Sequence, residues 1–363
     1  MKNTFGNNIS VTLFGESHGE AIGAVIDGLP AGVEINEAFI SHQLDLRKPT
    51  GKISTPRREK DEYKFLSGVF NGKTTGTPVC VVIPNENTQS KDYSASYGKA
   101  RPGHADFTAF SKYNGCEDYR GGGHFSGRIT APLVVAGAVC IGLLKKKNIL
   151  IGTHIKRCAF VDDAPFSEYI NEIESLSEKS FAVLDDEKGT AMISNIEAAA
   201  AVGDSVGGIL ETAVVGLPVG VGEPWFDSLE SMLSHGLFSI PAIKGVEFGA
   251  GFSCADMTGS VMNDSFFYEN GAVVTKTNNN GGVNGGITNG MPVVFSCAVK
   301  PTPSISKEQN TIDFINKENT VISVKGRHDP CIVHRVRVVV DSITAISLCD
   351  MLSQKFGTDW LGE

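Results

Sequence analysis

Four short segments of this chain place proton-transfer and anion-binding side chains beside glycine or proline. The first is Gly15-Glu16-Ser17-His18-Gly19. Its flanking glycines let the backbone come close to a ligand. An imidazole that titrates near neutrality can hand a proton to a leaving group. The second, Arg101-Pro102-Gly103-His104-Ala105-Asp106, presents Arg101 and His104 from one Pro-Gly bend. The third spans 118–128, with Gly121, Gly122 and Gly123 ahead of His124, Phe125, Ser126 and Arg128. Three glycines before a helix start suit a loop whose free N–H groups hold an anion. It is neither a Walker loop nor a dinucleotide fingerprint, because no Gly-Lys-Ser/Thr follows and no G-x-G-x-x-G opens a βαβ unit. The fourth is Gly326-Arg327-His328-Asp329-Pro330-Cys331, where Asp329 could accept a proton or orient a partner. Each segment alone is also compatible with an ordinary turn. Ser17 would then cap, His104 would face solvent, Ser126 or Thr130 would start a helix, and Arg327 would pair with Asp329. His42, His154, His235 and His334 have no such neighbours and read as structural.

The charge pattern favours a local anion pocket. The net charge is −9, which argues against non-specific binding to nucleic acid or to an anionic membrane. The chain has ten arginines, and none lies between Arg157 and Arg327. Arg101, Arg128 and Arg327 sit beside Gly, Pro or His in expected loops, and the guanidinium fork suits carboxylate and phosphate. The eight cysteines form no C-x-x-C pair and no zinc spacing, so they read as buried reduced thiols of a cytoplasmic protein, with no metal site. The N-terminus lacks an apolar signal core. The longest apolar run, 129–144, is shorter than the ~20 residues that span a bilayer, so a buried helix is expected.

The elements that would position these side chains come in two related sets. GESHGEAIGAVIDGLPAGV, from Gly15, and GDSVGGILETAVVGLPVGV, from Gly203, share 8 of 19 positions. GVFNGKTTGTPV, from Gly68, and GVNGGITNGMPV, from Gly282, share 7 of 12 and follow in the same order. One domain over 1–363, made of halves at about 8–150 and 198–350, is expected. The polar stretch 168–188 would join them. His18 aligns with Val206, whereas Ser17 recurs as Ser205, so the repeat pattern does not itself require His18. Apolar runs predict strands at 21–26, 79–83, 209–215, 293–299 and 336–340. Helices are predicted at 37–46, 130–147, 195–202, 228–239 and 342–356. Without regular βαβ alternation the class is α+β.

The four segments, in this order, resemble the chorismate synthase family from about Gly6 to about Lys355. Further matches include Arg47-Lys48-Pro49, Thr55-Pro56-Arg57-Arg58-Glu59, 66–78, 89–94, Lys244-Gly245-Val246-Glu247 and Lys300-Pro301-Thr302. The resemblance implies helices sandwiched between antiparallel β-sheets, a homotetramer, and 1,4-elimination of phosphate from 5-enolpyruvylshikimate 3-phosphate. It also implies reduced FMN without net redox change, with NADPH as one source of the electrons. By the same resemblance His18 matches the acid for the departing phosphate, and His104 the group that protonates or steadies the reduced flavin. Asp329 with Ser17 matches a proton relay from the flavin. Arg47, Lys52, Arg101 and Arg128 match substrate contacts. His124, Phe125, Ser126, Pro241, Ala242, Gly285, Lys300, Pro301, Thr302, Pro303, Ser304 and Arg327 match flavin contacts. The chain departs from the common Gly-Arg-Ser-Ser-Ala-Arg at Gly123-His124-Phe125-Ser126-Gly127-Arg128. Two other readings share these residues: a net-redox flavoprotein such as an NAD(P)H-dependent flavin reductase, and an inactive anion- or flavin-binding protein. The joint presence of His18, His104 and Asp329 argues against the latter.

Overall fold

Short apolar runs between turn residues build two antiparallel five-stranded sheets, seen in a computed structural model that describes residues 2–55, 59–86, 97–324 and 328–363. The first sheet holds β1 (Thr4–Phe5), β2 (Ser10–Gly15), β3 (Ala21–Asp27), β4 (Lys64–Ser67) and β5 (Val79–Pro84), in the order β1-β2-β3-β5-β4. The second holds β6 (Leu150–Cys158), β7 (Val161–Asp162), β8 (Gly208–Val215), β9 (Ile243–Phe248) and β10 (Val293–Val299), in the order β9-β10-β8-β6-β7. The helices used below are α1 (Glu37–Arg47), α2 (Asp106–Tyr113), α3 (Thr130–Lys146), α4 (Tyr169–Ser177), α5 (Asp186–Ala201), α6 (Leu229–Ser239) and α7 (Val333–Phe356). The α+β layering expected from the sequence is what the chain adopts.

Two long helices fill the space between the sheets. α3 packs on β3 and β5, α7 packs on β6 and β8, and the two helices pack on each other. α3 is apolar on every side and almost wholly buried, as a helix covered all round must be. With the preceding turn, Gly127–Lys146 is long and apolar enough to cross a membrane, but 89% of its apolar window is buried inside the protein. At the crossing, a Cβ on Gly137 would lie 2.2 Å from Cβ of Ser342, so only glycine permits this approach.

α7 corrects one expectation. The run 336–340 reads as a strand but lies inside this 24-residue helix. Periodicity cannot tell a short buried strand from a buried helical turn. Three buried hydroxyls of α7 are satisfied from within: those of Ser342, Thr344 and Ser347 donate to the carbonyls of Val338, Val340 and Ile343. Asp350 accepts from the N–H groups of Asn7, Asn8 and Ile9, which ties the start of the first sheet to this helix.

Both repeat blocks keep one pairing scheme. Ile26 lies opposite Val79 across β3 and β5, and the aligned residues Val214 and Val293 lie opposite each other across β8 and β10. Thr74 Oγ1 donates to Pro30 O at 2.6 Å and accepts from Val33 N at 2.9 Å. The aligned Thr288 does the same with Pro218 O and Val221 N, at 2.7 and 2.8 Å. The polar stretch around 168–188 lies in α4, α5 and their connection, between the neighbouring strands β6 and β8 of one sheet.

Candidate functional site

The two long helices begin at the same place. Ile129, Thr130 and Leu133 at the start of α3, and Ile332, Arg335, Val336 and Val339 at the start of α7, line one cavity of about 910 Å³. Helix N-termini carry partial positive charge, so both dipoles favour an anion there. The segments that precede these helices are the third and fourth motifs of the sequence. The Arg101–Asp106 turn and the loop that carries Ser17 complete that wall.

A buried charge cluster forms its floor. Arg47, at the end of α1, reaches Asp61 Oδ2 at 3.3 Å, Thr130 Oγ1 at 3.4 Å and Gly127 O at 3.5 Å. Arg128 donates to the other oxygen of Asp61, to Asn85 Oδ1 at 3.2 Å and to Pro84 O at 3.3 Å. One carboxylate therefore serves two guanidinium groups. Burial pushes the Asp61 carboxyl up, but Arg47 and Arg128 outweigh it and hold it below the usual range. Burial, with repulsion from Arg335 and Arg128, brings Arg47 down to about 10 despite Asp61. Among the described residues, Arg47 Nε is buried with no hydrogen-bond partner. Such a donor fits an arriving anion.

Asp329 accepts from Thr55 N at 2.8 Å and from Arg335 at 2.9 Å. Arg335 also donates to Arg47 O at 2.9 Å, linking the two halves of the floor. Across the cavity, the Thr302 hydroxyl donates to Asp329 O and Lys300 Nζ donates to Gly103 O. Burial and nearby Lys244 lower the Lys300 pKa. Thr302, Pro303, Ser304, Pro241 and Ala242 complete this side. Phe5, Leu13, Phe238, Val339 and Ile343 make the far end apolar. A cavity with a cationic floor and an apolar end fits an aromatic, phosphate-bearing cofactor together with an anionic substrate.

The glycine triplet has a steric part in the site. Gly121, Gly122 and Gly123 have φ of +60°, +82° and +53°. Gly122 N donates to Tyr119 O and Gly123 O accepts from Ser126 N, which closes the turn. A Cβ on Gly121 would sit 2.4 Å from Cδ2 of His18, and one on Gly122 would sit 3.2 Å from Cε1 of His104. The triplet is thus a thin wedge between two histidines. Ser17 N donates to Gly123 O at 3.1 Å and pins the first motif to the wedge.

The expected site residues divide by location. Ser17, Arg47, His104, His124, Phe125, Ser126, Arg128, Pro241, Ala242, Lys300, Thr302, Pro303, Ser304 and Asp329 line the cavity. His124 Nδ1 donates to Gly15 O at 2.8 Å, which leaves Nε2 as the other ring nitrogen, an acceptor in the neutral ring. His18 is buried against Gly121 and lies outside the cavity wall. Arg101 forks onto Asp106 beside a smaller cavity of about 50 Å³. Lys52 is exposed on the turn Gly51–Ile53, and Pro301 packs against Gly207. Gly285, with φ +61°, turns the hairpin Val283–Asn284/Ile287–Thr288 away from the wall. Arg327 lies outside the described residues. Sequence reasoning missed Asp61, Asn85 and Arg335. Asp61 stands in the plain polar run Lys60-Asp61-Glu62, which carries no signal of burial. Asp106 was visible as the last residue of its motif, but without a role.

Residues 9–353 match the family model described as chorismate synthase. A chorismate synthase of Chitinophaga pinensis is 47% identical, covering 96% of each chain. One from Dehalococcoides mccartyi is 46% identical over 97% of this chain and 96% of its own. One from Thermococcus kodakarensis is 44% identical over 96% and 97%. A crystal structure of chorismate synthase matches with a TM-score of 0.74 and 28% identity, covering 97% of this chain and 94% of that one.

Proposed function

The chain belongs to the chorismate synthase family, and we propose that it catalyses the 1,4-elimination of phosphate from 5-enolpyruvylshikimate 3-phosphate to give chorismate. The reaction is a lyase step of the shikimate pathway, leading to aromatic amino acids, and needs reduced FMN without net redox change. One observation carries the reading: a single carboxylate, Asp61, shares Arg47 and Arg128 at the floor of a cavity that also holds Ser17, His104, Asp329 and Arg335. The surplus cation suits a substrate with two carboxylates and a phosphate.

Reduced FMN, when bound, supplies electron density to the substrate ring. The apolar end of the cavity and the Pro241–Ala242 and Thr302–Ser304 segments would hold its ring, and Lys300, His124 and Ser126 its polar parts. The chain's own groups do the rest. Arg47 and Arg128 neutralise and orient the substrate. The family resemblance assigns His18, packed against Gly121 beside the cavity-lining Ser17, the proton for the departing phosphate, which leaves with the C–O electron pair. His104, when protonated on both ring nitrogens, holds its Nε2 proton toward the cofactor, and Ser17 with Asp329 moves the proton lost from the ring. Arg101 works through Asp106 rather than by direct contact.

The protein is proposed to be cytoplasmic and to assemble as a homotetramer. Trp225, Phe226, Phe252 and Tyr268 are largely exposed, apolar surface that a second copy would cover. The whole chain acts as one domain of two related halves. The test is anaerobic mixing with 5-enolpyruvylshikimate 3-phosphate and chemically reduced FMN. Phosphate release that stops when the flavin is left oxidised supports the proposal, and release that ignores the flavin state contradicts it. NADPH in place of the chemical reductant shows whether the chain reduces its own flavin.

A further inference from the structure

The turn that carries His104 is closed by a single carboxylate. Asp106, the first residue of α2, folds back over the Pro102-Gly103 bend. Its Oδ2 accepts from Arg101 N at 2.9 Å and Arg101 Nε at 2.8 Å. Its Oδ1 accepts from the Arg101 terminal nitrogen at 2.7 Å and lies 2.8 Å from His104 Nδ1. The same guanidinium nitrogen is 3.1 Å from Nδ1. A guanidinium only donates, so Nδ1 has two competing assignments. As an acceptor from Arg101, it would turn a lone pair onto a carboxylate oxygen 2.8 Å away, which is repulsive. As a donor, it would face a carboxylate oxygen 2.8 Å away, a charge-favourable contact. The second arrangement is favoured.

We propose that Asp106 is a positioning residue that fixes His104 as the Nδ1–H tautomer, so that Nε2 is the nitrogen presented to the reactants. The geometry beyond the ring agrees. A Cβ on Gly122 would stand 3.4 Å from His104 Nε2, so only a bare glycine leaves that nitrogen uncovered. Burial pushes the Asp106 carboxyl up, but the hydrogen bonds and charges of Arg101 and His104 outweigh it and hold it well below the usual aspartate range. It therefore stays an ionised acceptor through the working pH range. This inference rests on the role given to His104 above.

Charged groups face His104 from several elements. Arg101 and Asp106 belong to its own turn. Lys99, Glu117 and Asp118 line the small cavity behind the ring, and Lys300 donates to Gly103 O. Against this mixed background, Asp106 is the negative charge in direct contact with the ring. Replacing it by a neutral amide leaves Arg101 beside the ring and disfavours the imidazolium.

The experiment uses the full-length protein. In Asp106→Asn, kcat should fall at least about tenfold, the scale set by losing a histidine's orienting carboxylate. The alkaline limb of its pH profile should move to lower pH, while KM for the substrate stays close to wild type. In a His104→Ala background the same change should cost little more. Asp106→Glu, which keeps the charge, should restore part of the rate and the position of the limb. An unshifted limb, or an equal loss in the His104→Ala background, overturns the proposal. Nitrogen-15 NMR of the wild-type ring tests it without any variant. A proton on Nδ1 is expected, and a proton on Nε2 alone in the neutral ring refutes it even if no variant folds. That readout does not depend on turnover, so it separates this inference from the functional reading.

Discussion

Asp61→Asn tests how the floor of the cavity is held together. Asp61 is the carboxylate bound to both Arg47 and Arg128, and its side chain is almost wholly buried. Even with it in place, Arg47 sits at about 10, against about 12.5 for a free guanidinium, a penalty of about 3 kcal/mol at 1.36 kcal/mol per tenfold. The amide leaves two buried cations without their counter-charge. Removing one partner of a buried pair costs about 3–5 kcal/mol. For 363 residues at about 2.1 cal/mol/K each, that lowers Tm by about 5 °C. The sign of the pH dependence follows from the lowered Asp61 pKa. Its stabilisation is present above the ordinary aspartate value and is lost as pH falls through the folded value, so the gap to wild type should close below pH about 4. The assay is thermal unfolding in a low-salt, anion-poor buffer, repeated with inorganic phosphate. Phosphate should stabilise the variant more than the wild type, because it replaces the missing charge. A variant as stable as wild type without phosphate refutes the reasoning. So does a gap that phosphate leaves unchanged.

Other outcomes follow from contacts elsewhere in the structure. His18→Ala and His104→Ala should each lower turnover by about 10²-fold or more in a folded protein, read by product formation. Gly121→Ala should cripple activity, since its Cβ would meet His18 at 2.4 Å at a φ of +60°; the unfolding curve shows whether the fold survives. Gly137→Ala should destabilise by about 1–3 kcal/mol through its clash with Ser342. Gly142→Ala, which meets nothing within 4 Å, should stabilise by up to about 1 kcal/mol, both read from urea unfolding. His334 is buried, bonded to Ser54 at 2.9 Å, and lowered to about 3 by burial and by Arg335 and Arg337. The unfolded chain takes up this proton below pH about 6.5 and the folded chain does not, so stability should fall from there toward pH 3, and less steeply in His334→Gln.

The sequence foretold parts of this architecture whose physics is local. The Gly-Leu-Pro turns and their glycines recur because each places a backbone against a neighbouring carbonyl. Gly28 and Gly216 both lie against an Asn carbonyl, Asn8 and Asn148, where a Cβ would clash. The strand 293–299 was bounded correctly by its apolar run. α7 was half misread because Val336, Val338, Val339 and Val340 favour strands locally, while burial between two sheets holds them in a helix. The site was legible as motifs but not as contacts. Arg101 reads as a free cation until Asp106 is seen to hold it. Asp61 meets Arg128 across 67 residues, a pairing that no local pattern announces. The place of the glycine triplet between His18 and His104 was not legible, because composition does not say which side chains a bare Cα faces. Burial of every cysteine was also expected, yet Cys116 and Cys254 are exposed.

The central claim is that this cavity removes phosphate from its substrate without consuming electrons. The most direct measurement follows chorismate, phosphate and the flavin spectrum together during anaerobic turnover, with substrate in large excess over reduced FMN. Many equivalents of chorismate and phosphate formed while the flavin is still reduced is the predicted result. Flavin oxidised in proportion to product, or no product at all, would contradict it.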